Sequence, residues 1–224
     1  MSSGKSRNHI FILLAILVVT ACVFIIVKSF PKGDITCDIA VRSFSDFGAR
    51  QTYNSNDLKD AISFSTPAGV FMKAEGPDIE RVFDAVAVTP DKNYYDSGIT
   101  EAVVLAVSNN MNTGKEIKGV CFTVSFDSND EAQSYYDKMT AKVLNAAQVA
   151  KNNDNVYDLS TSGENTVLTT VTVANNNLKP SVFAVYIDND TVLVINISGG
   201  ISSELDSLVS GILHGFNIEK PKIF

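Results

Sequence analysis

The stretch "KGVCFTVSFDSNDEAQSYYDKMTAKVLNAAQVA", residues 118–150, changes character at its middle. Up to Phe126 it is rich in β-branched and aromatic residues and reads as a strand. From Ser128 it reads as a helix. Ser128 stands at a cap position with Glu131 three residues later, the pattern of a capping box. Ala132, Tyr136, Met139, Val143, Ala146 and Ala150 then recur at spacings of four, three, four, three and four, which puts them on one helical face. A strand that runs directly into an amphipathic helix calls for a sheet on which that helix lies, so the fold class is α+β.

Working upstream, "ITEAVVLAVS" is β-like and is joined to the central strand by the turn-rich "NNMNTGKE", which predicts a hairpin. "GPDIERVFDAV" predicts a helix with Pro77 at its first position and Ile79, Val82, Phe83 and Val86 on one face. "GVFMKA" before it reads as a strand, and "SNDLKDAISFS" (55–65) as a short helix capped by Ser55, with Asp57 at its positive end. "CDIAV" (37–41) reads as a strand. Downstream, "NTVLTTVTVA", "SVFAVYI" and "TVLVINI" are three further strands. The turn "IDNDT" (187–191) between the last two places Asn189 where positive φ is needed. "SELDSLVSGILHGF" (203–216) closes the chain as a helix bearing Leu205, Leu208, Val209, Ile212 and Leu213, with Gly215 at its C-terminal end. The expected architecture is an antiparallel sheet with packed helices. Both main helices open on "SND" (55–57 and 128–130), which leaves room for two related halves, although capping alone explains the tripeptide.

The N-terminus is of another kind. From Ile10 to Val27 there are 18 residues without a charge, with Lys5 and Arg7 before them. At about 1.5 Å rise per residue such a helix spans roughly the hydrocarbon core of a bilayer. The expected organisation is a cytoplasmic N-terminus (1–9), a transmembrane signal-anchor (10–27), a linker (28–35) and an extracytoplasmic domain (36–224). Basic residues flank both ends of the span, Lys28 and Lys32 on the far side. Orientation therefore rests on the usual behaviour of a short N-terminal anchor, which leaves the long part outside. "VTAC" (19–22) resembles a lipobox, and a lipidated Cys22 is the first alternative, a cleaved secreted form the second. The apolar "VFIIV" after Cys22 favours the uncleaved helix.

All 25 acidic residues lie from Asp34 onward, against 14 basic ones, a net charge of −11 for that part. Such a domain repels nucleic acid and anionic headgroups, so no nucleic-acid partner is expected. The expected partners are the cytoplasmic membrane bilayer, through Ile10 to Val27, and an unassigned protein or envelope component.

From about residue 55 to 218 the layout resembles small membrane-tethered or lipoprotein-like extracytoplasmic proteins of Gram-positive gut bacteria. The resemblance lies in a short helix, "FTVSFDSNDEAQSYYDKM", the paired strands "VFAVYIDNDTVLVINI" and a short terminal helix. It implies location and fold, and no activity.

No catalytic, cofactor-binding or metal-ligating set is readable. "NTGKE" has Asn109 in place of the first glycine of a phosphate loop. "DSNDEA" starts like a calcium loop, but Ala132 replaces its glycine and Lys138 its twelfth-position glutamate. "DND" (188–190) is a hairpin tip before it is a cation site. Cys37 and Cys121 are either a disulfide or two buried free thiols. His214, near the end of the last helix, suits the negative end of the helix dipole, and its pairing with either cysteine in a dyad has no local support. The sequons at Asn189 and Asn196 matter only in a eukaryotic secretory host. The expectation is a membrane-anchored extracytoplasmic binding module. A hydrolase using carboxylates or a Cys–His pair is the alternative.

Overall fold

The structure, a computed structural model, describes residues 34–63, 69–87, 94–110, 116–162, 164–174, 177–219, 221 and 223. The expected signal-anchor (10–27), its flanks and Cys22 lie outside the described residues. Among those that are described, no helix is long and apolar enough to cross a membrane. Residues 34–224 form one compact unit.

In chain order the elements are α1 (Cys37–Asp46), β1 (Arg50–Gln51), α2 (Ser55–Ser63), β2 (Val70–Glu75), α3 (Asp78–Val86), β3 (Ile99–Asn110) and β4 (Glu116–Phe126). They continue with α4 (Asn129–Asn152), β5 (Val156–Thr161), β6 (Asn165–Ala174), β7 (Asn177–Asp188), β8 (Thr191–Gly199) and α5 (Ser202–His214). The eight strands make one sheet in the order β1-β2-β3-β4-β8-β7-β6-β5. Only β1 and β2 run parallel; every other pairing is antiparallel. The α+β class and the β3–β4 hairpin are as expected.

Helices cover both faces. α2, α3 and α4 pack on one side, with Leu58, Val82, Phe83, Met139 and Val143 against Val104, Phe122, Val124, Val192 and Val194. On the other side α1 and α5 lay Ala40, Phe44, Leu205, Val209 and Ile212 on Val103, Leu105, Cys121, Ile195 and Ile197. Central strands buried on both faces need apolar side chains at every position, not at alternate ones. That is why "AVVLAV" (102–107) and "VLVI" (192–195) are continuous apolar runs, and every one of those residues is buried.

The structure corrects the sequence reading in several places. Residues 37–41 are not a strand but the first half of α1. Thr36 caps this helix, its side chain accepting from the Ile39 N–H at 3.2 Å. Its buried residues Cys37, Ala40, Ser43 and Phe44 are spaced three, three and one apart, a helical repeat that five residues are too short to display. Ile35, assigned to the linker, is 4% exposed in the core, and its N–H donates to Asp188 Oδ2. Ser55 is the first residue of α2, not its cap. Asn54 takes that role, Oδ1 accepting from the Asn56 N–H at 3.1 Å.

Ser128 does cap α4 and accepts from the Glu131 N–H, while its hydroxyl donates to the Glu131 carboxylate. Buried on α4 are the expected Ala132, Tyr136, Met139, Val143 and Ala150, joined by Tyr135 and Ala147; Ala146 is half-buried. Asn189 has φ of 53°, as its turn requires. Gly215 follows α5 but is right-handed, at φ −67°. Its need for glycine is contact: a Cβ there would run into Ser43 of α1. Ser43 itself donates to the Ile212 carbonyl at 2.6 Å and joins the two helices of that face. Edge strand β5 was not anticipated, because most of its side chains are exposed and no burial repeat marks it.

Candidate functional site

On the face covered by α2, α3 and α4 the sheet changes composition from one row of paired residues to the next. Phe122, Val194, Val185 and Thr166 lie side by side across β4, β8, β7 and β6. One row further on come Val120, Asn196, Phe183 and Leu168. The next is Lys118, Ser198, Ser181 and Thr170, with Thr170 and Ser181 hydroxyls 2.5 Å apart. On β4, β8 and β7 the opposite face makes no such change, and Thr169 of β6 is the polar member of its last row. There Cys121, Ile195 and Ala184, and then Ile197 and Val182, remain apolar and fully buried. On β4, β8 and β7 the polar side chains of these rows lie on one face while the other face is core, and they mark the floor of a cleft.

That cleft has a volume of about 640 Å³. The second half of α4 forms its wall through Lys142, Asn145, Ala146 and Val149, over a floor of Leu168, Thr170, Ser181 and Phe183. A smaller compartment of about 200 Å³ adjoins it between Ile62 and Val86 on one side and Lys118, Lys179 and Ser198 on the other. Both compartments are lined by Tyr94 and Asn196, which therefore stand at their junction.

Tyr94 is held from four directions. Its carbonyl accepts from the Tyr135 hydroxyl at 2.6 Å. Its ring packs on Phe122 with centroids 4.9 Å apart, and Lys142 Nζ lies 5.7 Å from its centroid. Its Oη accepts from Asn196 Nδ2 at 2.8 Å. Burial raises the phenol above its ordinary pKa, and the Asn196 hydrogen bond offsets only part of that. The group is thus a neutral phenol with its own proton to donate, and Asn196 keeps its amide oxygen to accept. Two residues on, Asp96 pairs with Lys138 of α4 at 2.9 Å. Burial raises the Asp96 pKa, but hydrogen bonds from Lys138 and the Gly98 N–H outweigh it and hold the carboxyl below its usual value. The loop that carries Tyr94 is thereby tied to α4 twice.

A second cavity, of about 300 Å³, opens on the other face of the sheet. Asp158, Ser160 and Asn165 line it together with Thr169, Tyr186 and Glu219. The hydroxyls of Thr169 and Tyr186 are buried there without a hydrogen-bond partner among the described residues.

The residues weighed in the sequence lie elsewhere. Cys37 and Cys121 are free and buried, so of the two readings the free thiols hold. Burial pushes the Cys37 thiol up to about 12 and that of Cys121 higher still, opposite to what a nucleophile requires. His214 is exposed in the last turn of α5. The Asp188 carboxylate is engaged by the Ile35 and Asn189 nitrogens, and Asp190 by the Thr191 hydroxyl. Asn196, noted in the sequence only as a sequon, is one of the site residues the sequence reading missed, with Tyr94 and the lysines of the cleft. Its signal was present: in "TVLVINIS" the alternate positions 192, 194, 196 and 198 read Val, Val, Asn, Ser, while 193, 195 and 197 stay apolar.

No protein-family model matches the chain, and no curated protein does. Among solved structures it is similar to the extracellular domain of PknH from Mycobacterium tuberculosis, with 17% sequence identity and a TM-score of 0.40 over 73% of this chain and 91% of that one. A likeness of that degree assigns no function here.

Proposed function

We propose that this chain is a membrane-anchored extracytoplasmic binding module whose ligand occupies the cleft between α4 and strands β6, β7 and β8. The anchor is the uncharged run from Ile10 to Val27, with the domain outside. The observation that carries the binding role is the switch of the central strands β4, β8 and β7 from apolar to polar rows on this face, beneath an open cleft. Small-molecule sites are typically several hundred Å³ in volume, with apolar walls and a few converging polar groups. This cleft has that make-up, with Phe183, Leu168, Ala146 and Val149 as its apolar lining and the Tyr94–Asn196 pair, Thr170 and Ser181 as polar groups. The strand order, in which β4 and β8 meet at the centre, also suits an origin in two related halves.

The test is a ligand-detected NMR screen of water-soluble amphipathic fragments against the full chain in lipid nanodiscs, beside an Ala146→Trp variant. Ala146 is half-buried on the cleft wall, so the indole fills the cleft without entering the core. Fragments that bind the native chain and not the variant support the reading. Fragments that bind both equally, or none that bind the native chain, overturn it.

A further inference from the structure

The cleft combines two kinds of surface, and they are separated in space. The larger compartment supplies the apolar area of Leu168, Phe183 and Val149. The smaller one holds two lysines: Lys118 on β4 and Lys179 on β7, on either side of β8, whose Ser198 hydroxyl lies between them. Lys142 adds a third ammonium where the larger compartment passes Tyr94. Among the described residues no aspartate or glutamate lines either compartment, in a chain with 25 acidic and 18 basic residues. Glu116 meets Lys118 Nζ at 2.8 Å, but it is not part of the lining. The cavity on the opposite face carries Asp158 and Glu219 among its described lining residues.

We propose that the cleft binds a small amphipathic carboxylate. This rests on the cleft being the binding site. The carboxylate sits in the smaller compartment against Lys118, Lys179 and the Ser198 hydroxyl, and the apolar body lies over Phe183 and Leu168 toward Val149. The Tyr94 phenol and Asn196 amide stand where the head joins the body, with a donor and an acceptor for the polar linkage there. The chemistry is supported by charge: the domain is acidic overall and repels anions, yet Lys118 and Lys179 both line the smaller compartment with no carboxylate among its described lining residues, which selects an anion locally. Ammonium-to-carboxylate hydrogen bonds are among the stronger polar contacts, and a partly enclosed pocket screens them less than open surface does. Two kinds of molecule carry this chemistry, acyl or aryl acids and the free carboxyl ends of short apolar peptides.

A matched series tests it on the full chain in nanodiscs: 4-phenylbutyrate, its neutral amide 4-phenylbutanamide, and the cation 4-phenylbutylamine. The expected result is that the acid binds about tenfold or more tightly than the amide, with the amine weakest. In a Lys118→Gln/Lys179→Gln double variant the acid should fall to the level of the amide. Both lysines are partly or fully exposed, so the fold should survive, and an unchanged melting temperature checks this. N-acetyl-leucyl-leucine separates the two sources: binding like phenylbutyrate points to peptide ends, and failure beside a bound phenylbutyrate points to acyl or aryl acids. Equal binding of acid and amide by the native chain, or a preference that persists in the double variant, overturns the carboxylate and leaves the cleft standing. Failure of all three probes overturns both.

Discussion

Tyr135→Phe removes one oxygen atom and tests how the cleft is held. Tyr135 lies on α4 with 2% of its surface exposed, its ring 5.2 Å from that of Phe126. Phenylalanine keeps that packing. What disappears is the 2.6 Å hydrogen bond to the Tyr94 carbonyl, and Tyr94 is itself only 2% exposed. A buried carbonyl that loses its partner costs about 1–3 kcal/mol, more than the roughly 1 kcal/mol net of an average hydrogen bond. The phenol contributes an opposing term: its own desolvation, which raises its pKa well above the ordinary value, is relieved by the substitution. The expected loss therefore falls in the lower half of that range, about 1–2 kcal/mol. Urea unfolding of the full chain, followed by circular dichroism, would show this as a lower midpoint at unchanged slope. The Tyr94 ring should also lose its fixed position, so ligand affinity should drop several-fold. A loss under about 0.5 kcal/mol, with affinity unchanged, would refute the account of how Tyr94 is positioned.

Met139→Ala, at a fully buried position in the core cluster that includes Phe122 and Val194, should cost about 2–5 kcal/mol in the same unfolding measurement, whereas Lys138→Ala should cost far less. Tyr186→Phe should be close to neutral or stabilising, within about 1 kcal/mol, because its buried hydroxyl has no partner among the described residues; a larger loss by thermal melting would reveal a bond. Asp96 has a depressed folded-state pKa, so its pairing with Lys138 contributes stability that is complete above the unfolded carboxylate pKa and is lost as pH falls through the lower folded value. The acid limb of a stability–pH profile should therefore flatten in Asp96→Asn, and an unchanged limb would contradict that role.

Much of the fold was legible because its signals are local. The cap at Ser128, the spacing along α4 and the positive-φ turn at Asn189 each depend on a few neighbouring residues. Elements whose pattern is short or exposed were not legible. α1 looks like a strand in any five-residue view, and β5 buries too little to leave a repeat. Covering of the sheet on both faces was encoded in the continuous runs of β3 and β8, but such runs do not say which helix covers which face. The cleft was hidden for another reason. Its polar floor comes from single positions on β4, β6, β7 and β8, far apart in sequence, that only strand register brings into rows. Tyr94 lies in no regular element and reaches Asn196 across 102 positions.

The measurement that bears most directly on the cleft is a chemical-shift titration of the full chain in nanodiscs with 4-phenylbutyrate, read at the Asn196 side-chain amide and the methyls of Val149 and Leu168. The account predicts saturable shifts at all three, with the cavity beside Tyr186 on the opposite face unaffected. Shifts confined to that opposite cavity, or no saturable shift at Asn196, would contradict it.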